Sequence, residues 1–444
     1  MNVFVEEIEL IESTGLPQLL CSFLLPKSQI GSSKWWKDVH AIGAPFIKVK
    51  NPQTSVVLFI WQDPHGTDEK SSIASVLLDV NSITDHHSWE PVCLHRISGT
   101  DVWFGQLTVD SKWRGSYSFI PIEENQLPDL VLQAGDSSRE AQRAWWMSVA
   151  GNQIPDPLNP LPVLSSGWGI SSPLHLPKAA TELGWQEWDR GELNAISASR
   201  VNSIDWSSKE LGNQRTAWLF STATSDAPLV ILLDGQKWGA PSGTLSVLQY
   251  LTDTSKIAPA HYLLVPSIDG LTRWKELSCH HPFWQSLLDE LLPIVTSILA
   301  KDDCSATDFL VAGQSLGGLS ALYAGITFSD VFSKVISLSG SFWWPDKDRM
   351  VDPDNVIASK PIPADSLAEQ ILNDRVSVSH LKVYQSVGTG EEDMCVYNEQ
   401  TRQAIKGKGG CVRYEVFCGG HDWLSWRSGL IKGLLFLIPA DMAD

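Results

Sequence analysis

Six runs of mainly apolar residues in the second half of the chain constrain its fold more than any other feature. Strands that are buried on both faces, as in a parallel sheet, are apolar along their whole length and do not alternate. Stretches with a helical pattern separate the runs, including residues 283–299 and 317–328. The alternation predicts a doubly wound parallel sheet with helices on both faces. The runs are residues 229–234, 262–265, 309–312, 335–338, 381–384 and 412–417.

The first third of the chain has a different pattern. Short aromatic and β-branched runs are separated by turn residues, which predicts a β-sandwich over residues 1–150 without helices. A segment rich in Pro, Gly and Ser then predicts a linker or an ordered crossing segment over residues 151–194. The α/β domain follows over residues 195–444, and two domains suit a chain of this length.

Charge and cysteine content exclude several classes of function. The formal net charge of −18 argues against a nucleic-acid partner, because a phosphate backbone attracts an excess of Lys and Arg. Seven cysteines without a CxxC pair favour neither a disulfide framework nor a zinc site, so no metal is expected. An acidic N-terminus without an apolar core, and no apolar stretch of about 20 residues, predict a cytoplasmic protein.

The motif Gly313-Gln314-Ser315-Leu316-Gly317 supplies a candidate nucleophile. It follows the apolar run 309–312 directly and opens a helix of small residues. This strand–turn–helix context is that of a nucleophile elbow, in which the serine occupies a sharp, strained turn and glycines avoid clashes with the adjacent strand and helix. The motif predicts that Ser315 is the nucleophile of a serine esterase. The backbone N–H of Leu316 is then expected to be one oxyanion donor.

A general base and an acid follow in the chain order that such a hydrolase requires. His421, in a Gly-Gly-His-Asp loop after the last apolar run, is predicted to take the proton from Ser315. Glu391 is the first carboxylate after the run that begins at residue 381, and it is expected to orient the imidazole. Glu392 is the alternative acid, and a Ser–His pair without a well-placed acid is a third possibility. Asp422 is expected to be structural.

Loops at the carboxyl ends of the strands supply candidate binding residues, since ligands of open α/β sheets bind at that edge. Gln236 N–H is the expected second oxyanion donor. The substrate-binding candidates are basic, aromatic and hydroxyl side chains, which suit a flat, aromatic, anionic substrate. They are Trp238 on the Gln236 loop, Arg273 and Lys275 in a predicted loop at 267–277, and Ser341, Trp343 and Trp344, with Lys347 and Arg349 just beyond.

These motifs resemble the enterochelin esterase family from about residue 40 to about residue 435. In the second half the resemblance is carried by Asp234-Gly235-x-x-Trp238, Gly313-Gln314-Ser315-x-Gly317-Gly318, Ser339-Gly340-Ser341-x-Trp343-Trp344 and Gly419-Gly420-His421-Asp422. In the first half it is carried by Trp61-Gln62-Asp63-Pro64, Leu78-Asp79-Val80-Asn81, Trp113-Arg114-Gly115-Ser116-Tyr117 and Asp156-Pro157-Leu158-Asn159.

The resemblance implies an N-terminal β-sandwich domain and a C-terminal α/β-hydrolase domain. It implies hydrolysis of the serine ester bonds in the trilactone of a catecholate siderophore such as enterobactin, with release of the iron in the cytoplasm. Ser315, His421 and Glu391 carry over as nucleophile, base and acid. Iron enters only as part of the substrate, and no cofactor is expected.

Two other functions suit the same residues. A feruloyl-type esterase on this fold would also take an aromatic acyl group. Esterases that act on polymers are exported, however, so the predicted cytoplasmic location argues against this function. A non-catalytic siderophore-binding module could have kept the fold, but the complete Ser–His–Glu set argues against it.

Overall fold

Each of the two units into which the chain divides is built from two separate segments of the sequence. The computed structural model describes residues 29–84, 91–127, 138–166, 169–239, 242–346 and 361–440, so Lys347 and Arg349 lie outside the described residues. The N-terminal unit comprises Met1–Ala180 together with Cys418–Leu424. The C-terminal unit comprises Thr181–Phe417 and Ser425–Asp444.

Eight strands form two four-stranded antiparallel sheets in the N-terminal unit. The first sheet has the order β1-β2-β5-β4 and the second has the order β3-β6-β8-β7. Val57 and Phe59 of the first sheet share one buried core with Val76 and Phe119 of the second, so the two sheets form the predicted β-sandwich. The strands are β1 (Phe46–Val49), β2 (Thr54–Gln62), β3 (Ile73–Val80), β4 (His95–Arg96), β5 (Val102–Asp110), β6 (Arg114–Glu123), β7 (Leu164–Ser166) and β8 (Gly169–His175).

Among its described residues, the N-terminal unit also has two α-helices, α1 (Ser33–Ile42) and α2 (Ser138–Val149), which were not predicted from the sequence. In α1, Ser32 caps the first turn by accepting a hydrogen bond from Trp35 N–H, and Gly43 ends the helix with φ 82°. Only Trp35, Trp36 and Val39 of α1 are buried, so its apolar stripe is too short for a clear period. Strands β7 and β8 were also missed, because they lie in the Pro- and Gly-rich segment read as a linker.

One eight-stranded sheet organises the C-terminal unit, in the order β16-β15-β14-β13-β11-β12-β10-β9. The six strands from β16 to β12 in this order pair in parallel, as predicted from their apolar runs. Strands β10 and β9 add an antiparallel edge that was not predicted. Their buried residues alternate with more exposed ones, so neither strand has the continuous apolar run from which the parallel strands were predicted. The strands are β9 (Val201–Ser208), β10 (Asn213–Ser221), β11 (Ala227–Leu233), β12 (His261–Val265), β13 (Ala306–Gln314), β14 (Lys334–Leu338), β15 (Lys382–Gly388) and β16 (Cys411–Phe417).

Ten helices flank or connect these strands in the described part of the chain from Thr181 onward. The stretch 283–299 is two α-helices joined by a π-helical turn, Leu287–Leu291. The predicted loop 267–277 is largely a helix, α6, whose first turn is capped by Asp269. The helices are α3 (Trp185–Asp189), α4 (Gly235–Trp238), α5 (Thr244–Asp253), α6 (Gly270–Leu277), α7 (His281–Ser286), α8 (Leu292–Lys301), α9 (Leu316–Thr327), α10 (Leu367–Leu372), α11 (Asp393–Gly407) and α12 (Trp423–Leu437). Within the described ranges, no helix is both long and apolar enough to span a bilayer.

A buried guanidinium fastens the start of the C-terminal unit to its last helix. Arg427 of α12 pairs with Glu182 at 2.7 Å and with Asp189 at 2.5 Å. Its guanidinium lies 4.7 Å from the ring of Trp185. All three charged side chains are at least 90% buried, so the pairing compensates the loss of hydration that burial imposes. The last part of the predicted linker is therefore an ordered component of the C-terminal unit.

Candidate active site

Ser315 occupies a sharp turn between β13 and α9. Its backbone has φ 57° and ψ −122°, a conformation that L-residues rarely adopt. Ser315 N–H donates to Leu338 O at 2.8 Å, and Ser315 O accepts from Ser341 N–H at 3.1 Å, so bonds to the next strand and its loop hold the turn. A Cβ at Gly313 would overlap the backbone of Gly317. The motif therefore has its predicted geometry, with glycine required by close approach.

The predicted oxyanion donors lie at the first turns of two helices. Leu316 is the first residue of α9, where a backbone N–H has no carbonyl partner within the helix. Gln236 is the second residue of the short helix α4, and its side-chain Oε1 accepts a hydrogen bond from Ser267 N–H at 3.0 Å. This hydrogen bond from Ser267 connects the Gln236 loop to the segment that follows β12.

Asp234 connects the Gln236 loop with the nucleophile turn. This buried residue has φ 55°, and Arg273 of α6 binds its carboxylate through two N–H donors at 2.8 and 2.9 Å. Gln314, the residue before the nucleophile, donates to the same carboxylate at 3.0 Å, and Ser267 Oγ does so at 2.5 Å. Bidentate Arg–carboxylate pairs are geometrically specific, so this network fixes three loops at the carboxyl edge of the sheet.

The structure separates the predicted substrate-binding residues into different roles. Trp238 is fully buried, and its indole N–H donates to Leu233 O at 3.1 Å. Its prediction as a substrate contact was wrong, because a core ring with a satisfied donor offers no surface to a ligand. Arg273 faces Asp234, whereas Lys275 is exposed on α6.

Three tryptophans form a partly exposed aromatic cluster next to Ser341. Trp274 stacks on Trp343 with ring centroids 6.0 Å apart, and it meets the edge of Trp344 at 6.2 Å. Ser341 Oγ lies 3.4 Å from Ser315 Oγ, so the loop that carries Trp343 and Trp344 also borders the nucleophile. Trp274 was not predicted as a binding residue, although it stands between the predicted residues Arg273 and Lys275.

Glu391 and Glu392 differ sharply in environment. Glu391 is 7% exposed, and its Oε1 accepts from Gly388 N–H at 2.6 Å and from Ser339 Oγ at 2.7 Å. The Ser339 hydroxyl in turn accepts from the indole N–H of Trp426 at 2.9 Å. Glu392 is exposed and has φ 43° at the start of α11. The Glu391 carboxylate is therefore held in place at the end of β15, whereas the Glu392 side chain is exposed.

Cys395 carries another potentially nucleophilic group, a thiol, near Glu391. Its thiol donates to Gly388 O at 3.0 Å, and burial raises the pKa of the Cys395 thiol to about 11. A thiol with this pKa is protonated near neutral pH and is a poor nucleophile. Ser315 remains the candidate nucleophile of this edge.

His421 lies in the segment Cys418–Leu424, which belongs to the N-terminal unit although it follows β16 directly along the chain. Its backbone oxygen accepts from Asn81 Nδ2 at 3.2 Å. Asp422, the next residue, is buried and bonded to Ser116. Asp422 therefore has a structural environment, as predicted from the sequence.

Family models match both halves of the chain. The model described as "Enterochelin esterase, N-terminal" matches residues 56–185. The model described as "Putative esterase" matches residues 208–437.

Individual relatives are similar over nearly the whole chain. The iron(III) enterobactin esterase of Dickeya dadantii is 37% identical over 431 residues, which cover 96% of this chain and 97% of the relative. The iron(III) enterobactin esterase of Escherichia coli K12 is 34% identical, with 92% and 97% covered. Among solved structures, the enterobactin esterase of Shigella flexneri, crystallised in the presence of enterobactin, is 33% identical with a TM-score of 0.78 and covers 92% of this chain and 98% of that chain.

Proposed function

Because this chain belongs to the enterochelin esterase family, whose relatives are iron(III) enterobactin esterases, we propose that it hydrolyses the serine ester bonds of a ferric catecholate siderophore such as enterobactin. The observation that carries the proposal is the strained turn of Ser315 between β13 and α9, in a chain of this family. A residue held in such a conformation stores about 1 to 3 kcal/mol of strain, which is typical of functional sites.

The proposed reaction begins with attack of Ser315 Oγ on the ester carbonyl carbon. His421 takes the hydroxyl proton, and the N–H groups of Leu316 and Gln236 stabilise the oxyanion of the tetrahedral intermediate. The intermediate collapses as the C–O bond to the leaving serine breaks, and His421 returns the proton to that oxygen. The product is an acyl-enzyme at Ser315 and a free hydroxyl on the opened siderophore.

Water completes the proposed cycle. His421 removes a proton from the water, the hydroxide attacks the acyl carbon, and Ser315 leaves with the proton returned by His421. Glu391 is proposed to orient the imidazole and to stabilise its protonated form. The hydrogen bonds from Gly388 and Ser339 support this role, since they hold the carboxylate in one position. The reaction uses no cofactor, and iron enters with the substrate.

Aromatic surface supports a catecholate substrate. The cluster of Trp274, Trp343 and Trp344 offers ring faces and edges on which a flat catechol can stack. Ser341 is proposed as a polar contact next to the scissile ester, and Lys275 as a charge that attracts an anionic complex. Release of the iron is proposed to take place in the cytoplasm.

The test is digestion of ferric enterobactin, with separation of the linear trimer, the dimer and the monomer by chromatography. The wild-type protein should convert ferric enterobactin into ring-opened products, of which the linear trimer is the first. Ser315→Ala should lower kcat by at least about 10³-fold. Ser297→Ala is the matched control, because it removes a serine hydroxyl from helix α8 of the same unit, where it bonds only locally to Pro293 O.

Two results would contradict the proposal. Turnover of simple aryl esters without cleavage of ferric enterobactin would overturn the substrate. Full activity of Ser315→Ala would overturn the mechanism.

A further inference from the structure

A buried carboxylate anchors the loop that carries His421. Asp422 Oδ2 accepts two hydrogen bonds from Ser116, one from its backbone N–H at 2.9 Å and one from its hydroxyl at 2.5 Å. Asp422 Oδ1 accepts from Leu424 N–H at 2.6 Å, in the first turn of α12. Charge-assisted hydrogen bonds are about twice as strong as neutral ones, and here both carboxylate oxygens are used. The residue after His421 is therefore fixed to strand β6.

Backbone contacts fix the rest of the same loop. Asn81, which follows β3, donates to His421 O at 3.2 Å. Arg114 N–H of β6 donates to Cys418 O at 3.1 Å. A Cβ on Gly420 would overlap Ser82 Oγ and Asn81 Oδ1, so this position requires glycine for close approach of the loop.

The two anchors, Asn81 and Ser116, are bonded to each other. Strands β3 and β6 are paired neighbours, and Asn81 N–H donates to Ser116 O at 3.0 Å. Both anchors stand in motifs of the first half of the chain, Leu78-Asp79-Val80-Asn81 and Trp113-Arg114-Gly115-Ser116-Tyr117. Neither motif contributes the proposed nucleophile, base or acid, so its presence in the chain needs another explanation.

We propose that Asn81 and Ser116 are positioning residues for His421, which they hold through hydrogen bonds to its backbone oxygen and to the next residue, Asp422. The inference rests on the proposed role of His421 as general base. Hydrogen bonds on both sides of this residue limit the freedom of its backbone and hence the position of its imidazole. Because a displacement of about 1 Å in a reacting group can cost about 10²-fold in rate, loss of one anchor should slow proton transfer without weakening substrate binding.

The experiment compares Ser116→Ala and Asn81→Ala with the wild-type full-length chain. Each variant should lower kcat by about 10- to 100-fold while KM changes by less than about threefold. The second-order rate of Ser315 labelling by an alkyl fluorophosphonate should fall in parallel, because that reaction needs an activated serine but no siderophore.

Ser55→Ala is the matched control for a buried hydroxyl in the same unit. Ser55 is fully buried in β2, and its hydroxyl bonds to Ser111 Oγ at 2.8 Å. It should lower the melting temperature about as much as Ser116→Ala and leave kcat within twofold of the wild type. Equal losses of kcat in the two variants would overturn the proposal, because they would show a general effect of destabilisation.

A double variant separates positioning from structure. Added to His421→Ala, Ser116→Ala should cause no further loss of the residual kcat, since its effect passes through the imidazole that is already gone. A further tenfold loss would overturn the proposal. If His421→Ala itself keeps full activity, the general-base assignment fails. If His421→Ala is inactive while Ser116→Ala and Asn81→Ala are fully active, the positioning inference fails alone.

Discussion

In the described part of the chain, four non-glycine residues with positive φ lie just past the carboxyl ends of strands in the C-terminal sheet. Asp234 follows β11, Ser315 follows β13, Ser339 follows β14, and Glu392 lies just beyond β15. A positive φ costs most residues about 1 kcal/mol or more, so sequences keep it where a side chain must point in a set direction. At three of these positions the strained backbone sets the direction of a side chain with a role at the site. Ser315 is the proposed nucleophile, Asp234 anchors the Gln236 loop, and the Ser339 hydroxyl binds Glu391.

Replacing Glu391 tests which carboxylate serves as the triad acid. Glu391→Gln should lower kcat by roughly 10²- to 10⁴-fold, because a neutral amide neither stabilises the imidazolium nor selects the tautomer that can accept a proton from serine. The measurement is steady-state hydrolysis of ferric enterobactin, with circular dichroism to show that the variant is folded.

Glu392→Gln is the matched control, because its side chain is exposed and one residue away. It should retain kcat within about threefold of the wild type. A larger loss for Glu392→Gln than for Glu391→Gln would transfer the acid role to Glu392.

At the scale of elements, the parallel strands could be predicted from the sequence and several helices could not. Most residues of strands β11 to β15 are buried, and burial on both faces of a strand requires a continuous apolar run in the sequence. Helix α6 lacks such a signal, because it has eight residues and its Leu271 is 87% exposed. Its start could have been found from Asp269, which caps the helix by accepting from Thr272 N–H at 2.7 Å.

Two basic residues on α6 should respond differently to substitution. Arg273→Ala leaves the buried Asp234 carboxylate without its guanidinium, so we expect a loss of about 1 to 3 kcal/mol in the free energy of unfolding. We also expect a fall in kcat, because Asp234 connects the Gln236 loop to Gln314. Denaturant unfolding and steady-state kinetics measure the two effects.

Lys275→Ala is the matched control on the same helix. Its exposed side chain should affect stability by less than about 0.5 kcal/mol. If Lys275 attracts the anionic substrate, its loss should raise KM at low salt and have little effect at high salt. A rise in KM for Arg273→Ala without loss of stability or kcat would instead mark Arg273 as a direct substrate contact.

At the scale of the whole molecule, local sequence patterns predicted both domain types but not the membership of the His421 loop. The hydrogen bond between Ser116 and Asp422 joins residues 306 positions apart, and no periodicity or turn signal records a contact of that kind. The first-half motifs could be recognised by their resemblance to the family, yet the contacts of Asn81 and Ser116 with the His421 loop became visible only in the structure. The motif Asp156-Pro157-Leu158-Asn159 was likewise recognised by resemblance, and the hydrogen bonds of Asp156 became visible only in the structure.

Asp156 should make the stability of the N-terminal unit depend on pH. Its buried carboxyl accepts from Tyr117 Oη at 2.6 Å and from Leu158 N–H at 2.8 Å. Burial, opposed by these hydrogen bonds, raises the pKa of Asp156 to about 6. An acid whose pKa is higher in the folded state stabilises the fold in its protonated form. Its contribution is therefore full below about pH 4, where the unfolded chain also holds the proton, and is lost as pH rises towards 6.

The predicted loss between about pH 4 and pH 6 is on the order of 1 to 3 kcal/mol, and Asp156→Asn should remove it because the amide stays neutral. Hydrogen–deuterium exchange of a peptide from β6 reports on this unit separately from the C-terminal sheet. Tyr117→Phe is the matched variant: it removes a hydrogen bond that lowers the pKa of Asp156, so the loss should move to higher pH. If wild type and Asp156→Asn show the same pH dependence, the carboxyl does not control it. If Tyr117→Phe moves the loss to lower pH, the hydrogen bond favours the protonated form instead of the carboxylate.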